Sequence, residues 1–158
     1  MSNNKIKTLS QLKTTLKKPR ARKKKLVFTN GCFDILHTGH VNYLQKAKNM
    51  GDILIVGLNS DASVRRLKGR SRPIVSQKNR AKVLAALSAV DLTVVFNSLT
   101  PIELIKAVKP DVLVKGGDWP VKDIVGSGFV QSYGGKVKSL AYIKGFSTKD
   151  IIAKIKRS

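Results

Sequence analysis

Two histidines, His37 and His40, are the only imidazoles in the chain, and they stand three residues apart where an apolar run gives way to helical spacing. At a strand-to-helix turn that spacing lets both rings project from one side of the helix N-terminus. The terminus supplies unpaired N–H groups and the positive end of the helix dipole, so an anion is the natural ligand. Gly31 and Gly39 flank the pair and are expected to let the backbone come close to that ligand without a Cβ in the way. Zinc is the competing chemistry, but it needs a third ligand, and only Cys32 is near. No metal is therefore assigned to these residues, and a polyphosphate suits them best. A second group points the same way: Arg65, Arg66, Lys68, Arg70 and Arg72 place five cations within eight residues. Ser147 and Thr148, at the start of the last helical stretch, offer another cradle of free N–H groups.

These residues need a frame, and the apolar pattern provides one. Short apolar runs at Leu26–Thr29, Ile53–Leu58, Leu92–Phe96, Val112–Val114 and Val137–Ala141 read as strands. Helical spacing at Gly39–Asn49, Gln77–Ala89, Pro101–Val108, Lys122–Tyr133 and Ser147–Lys156 alternates with them. Such alternation predicts an α/β fold, a Rossmann-like five-stranded parallel sheet with right-handed crossovers and helices on both faces. Ligands of these sheets bind beyond the carboxyl ends of the strands. The loops at 30–40, 59–76, 115–121 and 142–148 all fall there. Leu9, Leu12 and Leu16 mark a short amphipathic helix before Pro19 and a basic run. Residues 1–25 are thus expected as a basic N-terminal extension with a short helix, and 26–158 as one domain.

Composition narrows the function. The chain has 158 residues, 42% of them hydrophobic, which suffices for a real core. No run approaches the roughly 20 apolar residues of a membrane span, so no membrane partner is expected. The polar N-terminus lacks a secretory pattern and the single cysteine fits a reducing cytoplasm. The formal charge is +22, and residues 1–25 hold ten Lys/Arg and no acid. That balance favours polyanions: nucleotides, phosphorylated sugars, nucleic acid or acidic surfaces. With 6% aromatics and no nucleic-acid signature, binding of nucleic acid is expected to be at most nonspecific and salt-dependent.

The stretch Asn30-Gly31-Cys32-Phe33-Asp34-Ile35-Leu36-His37-Thr38-Gly39-His40 resembles the signature of the HxGH cytidylyltransferase-like superfamily. Gly57–Val64, Lys68-Gly69-Arg70-Ser71-Arg72-Pro73 and Val114-Lys115-Gly116-Gly117-Asp118-Trp119 are similar to one branch of it, the D-glycero-D-manno-heptose 1-phosphate adenylyltransferases. The likeness runs from about residue 26 to 156. It implies transfer of AMP from ATP, with Mg²⁺, to a sugar 1-phosphate, releasing pyrophosphate and giving the ADP-heptose used for bacterial lipopolysaccharide. The acceptor phosphate is largely dianionic near neutral pH, its second pKa being about 6. It needs no general base, so catalysis rests on positioning and electrostatics.

The resemblance makes His37, His40 and Lys68 catalytic, the histidines as donors to the triphosphate and Lys68 as a phosphate clamp. It also implies nucleotide contacts from Thr29, Asn30, Gly31, Cys32 (through its backbone), Phe33, Gly39, Arg80, Lys115, Gly116, Asp118, Trp119, Ser147 and Thr148. Asp34, Asn59, Asp61 and Arg72 fall to the acceptor. Alternatives stand beside several of these. Lys68 and Arg80 also suit a solvated surface, Asp34 and Asp61 suit helix caps, and Trp119 suits a core plug. The chain departs from the branch where Glu-Gly-Cys-Ser-Thr-Thr is usual, reading Lys144-Gly145-Phe146-Ser147-Thr148-Lys149. It also has Tyr142 where the glycerol-phosphate cytidylyltransferase branch carries an arginine. The likeness further implies a homodimer, and a separate sugar kinase in place of the one fused to this domain in many relatives.

Overall fold

The structure is a computed structural model, and it describes residues 2–141 and 145–158. Six strands form one parallel sheet: β1 (Ile6–Lys7), β2 (Leu26–Gly31), β3 (Ile53–Asn59), β4 (Leu92–Phe96), β5 (Val112–Gly116) and β6 (Lys136–Leu140). Their order is β1-β4-β3-β2-β5-β6. The helices are α1 (Leu9–Ala21), α2 (Thr38–Lys48), α3 (Asp61–Lys68), α4 (Gln77–Ala86), α5 (Ile102–Val108), α6 (Ser127–Ser132) and α7 (Thr148–Arg157).

The five strands read from sequence are all present, and the sixth comes from the basic N-terminus. Ile6 and Lys7 lie beside Thr93 and Val94 and extend the edge that β4 would otherwise leave unpaired. Two residues are too few to show a strand's periodicity. Helix α1 also outlasts the expected 9–16. Thr8 caps it through a reciprocal pair with Gln11, and Pro19 sits in its last turn, where little helix remains to be interrupted. Leu12 and Leu16 are buried in the core. Residues 2–21 therefore pack as part of the sheet's own body. The single helix expected over 122–133 is instead a 3-10 turn, Val121–Asp123, followed by α6. Gly126, at φ +88°, separates them, and a Cβ there would meet Ile105 Cδ1 at 2.7 Å.

Alternation along the strands divides the core into two layers. Phe28, Ile55 and Leu113 face α1, α5 and α6 through Leu12, Leu16, Leu104, Ile105 and Val130. Val27, Leu54, Val56, Val112 and Val114 face α2 and α4 through Leu44, Ala47, Ala81 and Leu84. Three aspartates fix the strands' entry points. Asp52, Asp91 and Asp111 accept the N–H groups of Lys25, Leu54 and Leu26, each at 2.7 Å. Among the described residues no helix is long and apolar enough to cross a membrane.

Burial of α1 gives a direct check. Leu12→Ala, which opens a cavity at a fully enclosed position, is expected to cost about 2–5 kcal/mol in urea denaturation. A shift of only a few tenths would mean that α1 lies outside the cooperative unit.

Candidate functional site

From β2 the chain proceeds outward to β3 and β4 on one side, and β5 and β6 lie on the other. The strand order therefore reverses between β2 and β5, and the crevice expected at such a switch point opens at their carboxyl ends. There a cleft of about 780 Å³ is framed by the loop after β2, the end of α3, the segments after β4 and β5, and the start of α7.

The loop after β2 sets the geometry. Phe33 and Ile35 adopt left-handed backbone, φ +46° and +49°, and turn Asp34 inward between them. His37 is the N-cap of α2, and its Nδ1 accepts the Gly39 N–H at 3.1 Å. In the neutral ring that bond places the proton on Nε2, leaving Nε2–H as a donor. The His37 and His40 rings stack with centroids 3.9 Å apart, and Phe33 meets His40 edge-on at 5.3 Å. The glycines serve these rings. A Cβ on Gly39 would meet His37 Cε1 at 2.9 Å, and one on Gly31 would meet Phe33 Cε2 at 3.0 Å. Both glycines line the cleft, and the absence of a Cβ also clears space for the protein's own rings.

Both imidazoles are neutral at pH 7. Burial lowers His37, and burial with the neighbouring His37 lowers His40 to about 4, against a smaller opposing effect of Asp34. His40 Nδ1 is enclosed with no hydrogen-bond partner. Cations line the same cleft. Lys68 and Arg72 line one wall and Lys115 the floor, where burial, then Lys68, lowers the lysine against the influence of the Cys32 thiol. Burial pushes the Cys32 thiol up despite four nearby cations, so it stays protonated, in keeping with a backbone role.

Most of the residues singled out from sequence converge here. Asn30, Gly31, Cys32, Phe33, Asp34, His37, Gly39, His40, Asn59, Lys68, Arg72, Lys115, Gly116, Trp119, Ser147 and Thr148 all line the cleft. Trp119 is 51% exposed on its rim, which removes the core-plug alternative. Ser147 caps α7, accepting the Asp150 N–H at 3.0 Å.

Four residues stand elsewhere. Thr29 is buried, and its hydroxyl lies 2.5 Å from that of Tyr43. Asp118 is exposed outside the lining. Arg80 is neither solvated nor open to a ligand, its side chain being 1% exposed. It donates to Val75 O, Cys32 O, Asn59 O and Asp61 Oδ1 at 2.5–2.9 Å. Asp61 also accepts the Gln77 N–H at 2.7 Å, so it caps α4, while Ser60 caps α3. Asp34 does line the cleft, but its carboxylate has no exposed surface and is occupied by protein donors. Burial raises this carboxyl, yet the N–H groups of Val75 and Ile74 together with Arg72 hold it below the usual aspartate range.

Sequence reading missed the apolar rim. Leu67, Leu99, Val125 and Phe146 are 43–53% exposed, and all four border the cleft with Trp119. Their one signal is an apolar side chain in a loop or at a helix end, where no core position calls for it. Of the departures from the resembled pattern, Lys149 lines the cleft, whereas Tyr142 and Lys144 lie outside the described residues.

Neutral N–H donors, a helix N-terminus and several cations thus share a parallel sheet's switch-point crevice, an arrangement suited to an anion. The chain belongs to the cytidylyltransferase-like family, whose profile matches residues 28–153. It is 54% identical over 99% of its length to the bifunctional protein HldE of Geobacter metallireducens, and 56% identical over 99% to that of Wolinella succinogenes. It spans 32% of the length of each of these two relatives. It is also similar to the crystal structure of a lipopolysaccharide core biosynthesis protein from Thermoplasma volcanium, with 28% identity and a TM-score of 0.61 over 78% of this chain and 99% of that one.

The histidine pair gives a measurable sign. Since both pKa values lie below 6.5, protonation opposes the folded state. The pair's contribution to stability is present above about pH 6.5 and is lost as pH falls toward 4. Imidazole NMR should show His40 titrating near 4 in the free protein. Its pKa should rise when a nucleotide brings negative charge beside it. A free-protein value at or above 6.5 would contradict this geometry.

Proposed function

We propose that this chain transfers AMP from ATP to D-glycero-D-manno-heptose 1-phosphate, giving ADP-heptose and pyrophosphate. An acceptor phosphate oxygen attacks the α-phosphorus, and the bond from that phosphorus to the oxygen bridging to the β-phosphate breaks. The observation that carries the reading is the stacked, neutral His37–His40 pair at the N-terminus of α2, in one cleft with Lys68, Arg72 and Lys115. The two imidazoles supply N–H groups to the triphosphate without adding fixed charge, and the cations offset the charge of two polyanions brought together. Residues 26–158 form the transferase unit in this reading, with 1–25 completing its sheet and core.

The heptose acceptor is supported by the likeness at 68–73 and 114–119, by the HldE relatives, and by the similar protein described as acting in lipopolysaccharide core biosynthesis. Magnesium fits as an ion carried by the nucleotide. No group of three or more His, Cys, Asp or Glu suited to a metal occurs among the described residues. Magnesium is commonly held by substrate phosphates and one or two carboxylates, and Asp123 and Asp150 lie open on the cleft wall to serve. Bound there, it would neutralise the phosphates.

The test is pyrophosphate release from a panel of four nucleoside triphosphates with heptose 1-phosphate or glycerol 3-phosphate. ATP with the heptose ester should give the highest rate, and His40→Ala should lower kcat by about 10²–10³-fold, the usual cost of one transition-state donor. CTP with glycerol 3-phosphate as the best pair would replace this reading with the neighbouring branch. No release from any pair would refute it.

A further inference from the structure

Asp34 is the one acidic residue among the described residues that is buried. Its carboxylate accepts from Arg72 Nε at 2.6 Å, Ile74 N at 2.8 Å and Val75 N at 2.9 Å. Its backbone carbonyl accepts the Thr148 hydroxyl at 2.6 Å. The first three donors belong to the wall that carries Lys68 and Arg72, and the last belongs to the wall that carries Ser147 and Lys149. A carboxylate offers about four acceptor positions, so protein donors occupy most of them, and no surface is left for a sugar hydroxyl. The left-handed backbone at Phe33 and Ile35 marks the same point. That conformation is strongly disfavoured for a β-branched residue and persists where the surroundings over-determine it.

We infer that Asp34 is a positioning residue that ties the two cation-bearing walls to the loop beneath His37 and fixes the width of the cleft. The enclosed carboxylate holds the side that carries Arg72, and the backbone carbonyl of the same residue holds the side that carries Thr148. The consequence for rate rests on the proposed nucleotidyl transfer, whereas the latch itself does not.

Asp34→Asn keeps the shape and removes the charge. Oδ2 takes two donors and Oδ1 one, so either orientation of the amide sets an NH₂ against an N–H. Hydrogen exchange read by NMR tests the latch without any need for activity. The Ile74 and Val75 amides should exchange at least about 10-fold faster in the variant, and those of β3 should not change. In the pyrophosphate assay, kcat should fall by about 10²-fold for every acceptor the wild type uses, as expected for an ångström-scale misplacement. ATP affinity by calorimetry should change far less than kcat. Arg72→Met added to Asp34→Asn should speed exchange at Ile74 and Val75 little further, because the bond between the two side chains is already lost.

Unchanged exchange at Ile74 and Val75 would overturn the inference. So would a raised KM for one acceptor alone, or exchange effects that multiply in the double variant. Should Asp34→Asn fail to fold, Thr148→Val decides. It should speed exchange in the first turn of α7 and lower kcat, and no effect on either would count against the latch. A wild type that releases no pyrophosphate would refute the proposed function and leave the exchange result to judge the latch.

Discussion

Four hydrogen bonds from one enclosed guanidinium hold the cleft's supporting segments in register. Arg80 reaches Cys32 O at the end of β2, Asn59 O at the end of β3, Val75 O in the loop before α4, and the Asp61 carboxylate that caps α4. A buried cation is costly unless its donors are met, and here four of five are. The same cost makes the arrangement unique, since moving any one segment would strand a charge or a carbonyl. Several groups that face the cleft stand beside these segments, among them the His37–His40 pair, Lys68 and Arg72.

Above that base the electrostatics are one-sided by design of the chain rather than by composition alone. Of the acids, Asp34, Asp52, Asp61, Asp91 and Asp111 accept backbone N–H groups. They serve the fold, leaving much of the +22 charge unmatched. In the cleft Arg72 is held by Asp34, while the two imidazoles stay neutral. In the proposed reaction a polyphosphate would meet these donors and cations together in one cleft, where electrostatic stabilisation is effective. The apolar rim of Leu67, Leu99, Trp119, Val125 and Phe146 surrounds that polar floor with surface that holds water poorly.

The strands and the cleft were legible in the sequence because apolar periodicity and the loops between elements survive in one dimension. His37, His40, Lys68, Lys115 and Ser147 were found by residue type and by their place at strand or helix ends. What escaped detection depends on which side of a backbone a group faces. Arg80 reads as a surface cation on a helix until its four acceptors come together in space. Asp34 and Asp61 are recognisable as important acids, yet only the fold reveals that their partners are protein N–H groups. The strand at Ile6–Lys7 is invisible for another reason, since its pairing is set by the open edge of β4 rather than by its own two residues.

The central claim is that the neutral histidine pair and the cations around it hold the nucleotide's phosphates. A crystal structure with a non-hydrolysable ATP analogue tests it most directly. The triphosphate is expected at the N-terminus of α2, with phosphate oxygens within hydrogen-bond distance of His37 and His40 and with Lys68 or Arg72 against them. Phosphates seated away from α2, with both imidazoles free of contact, would contradict it.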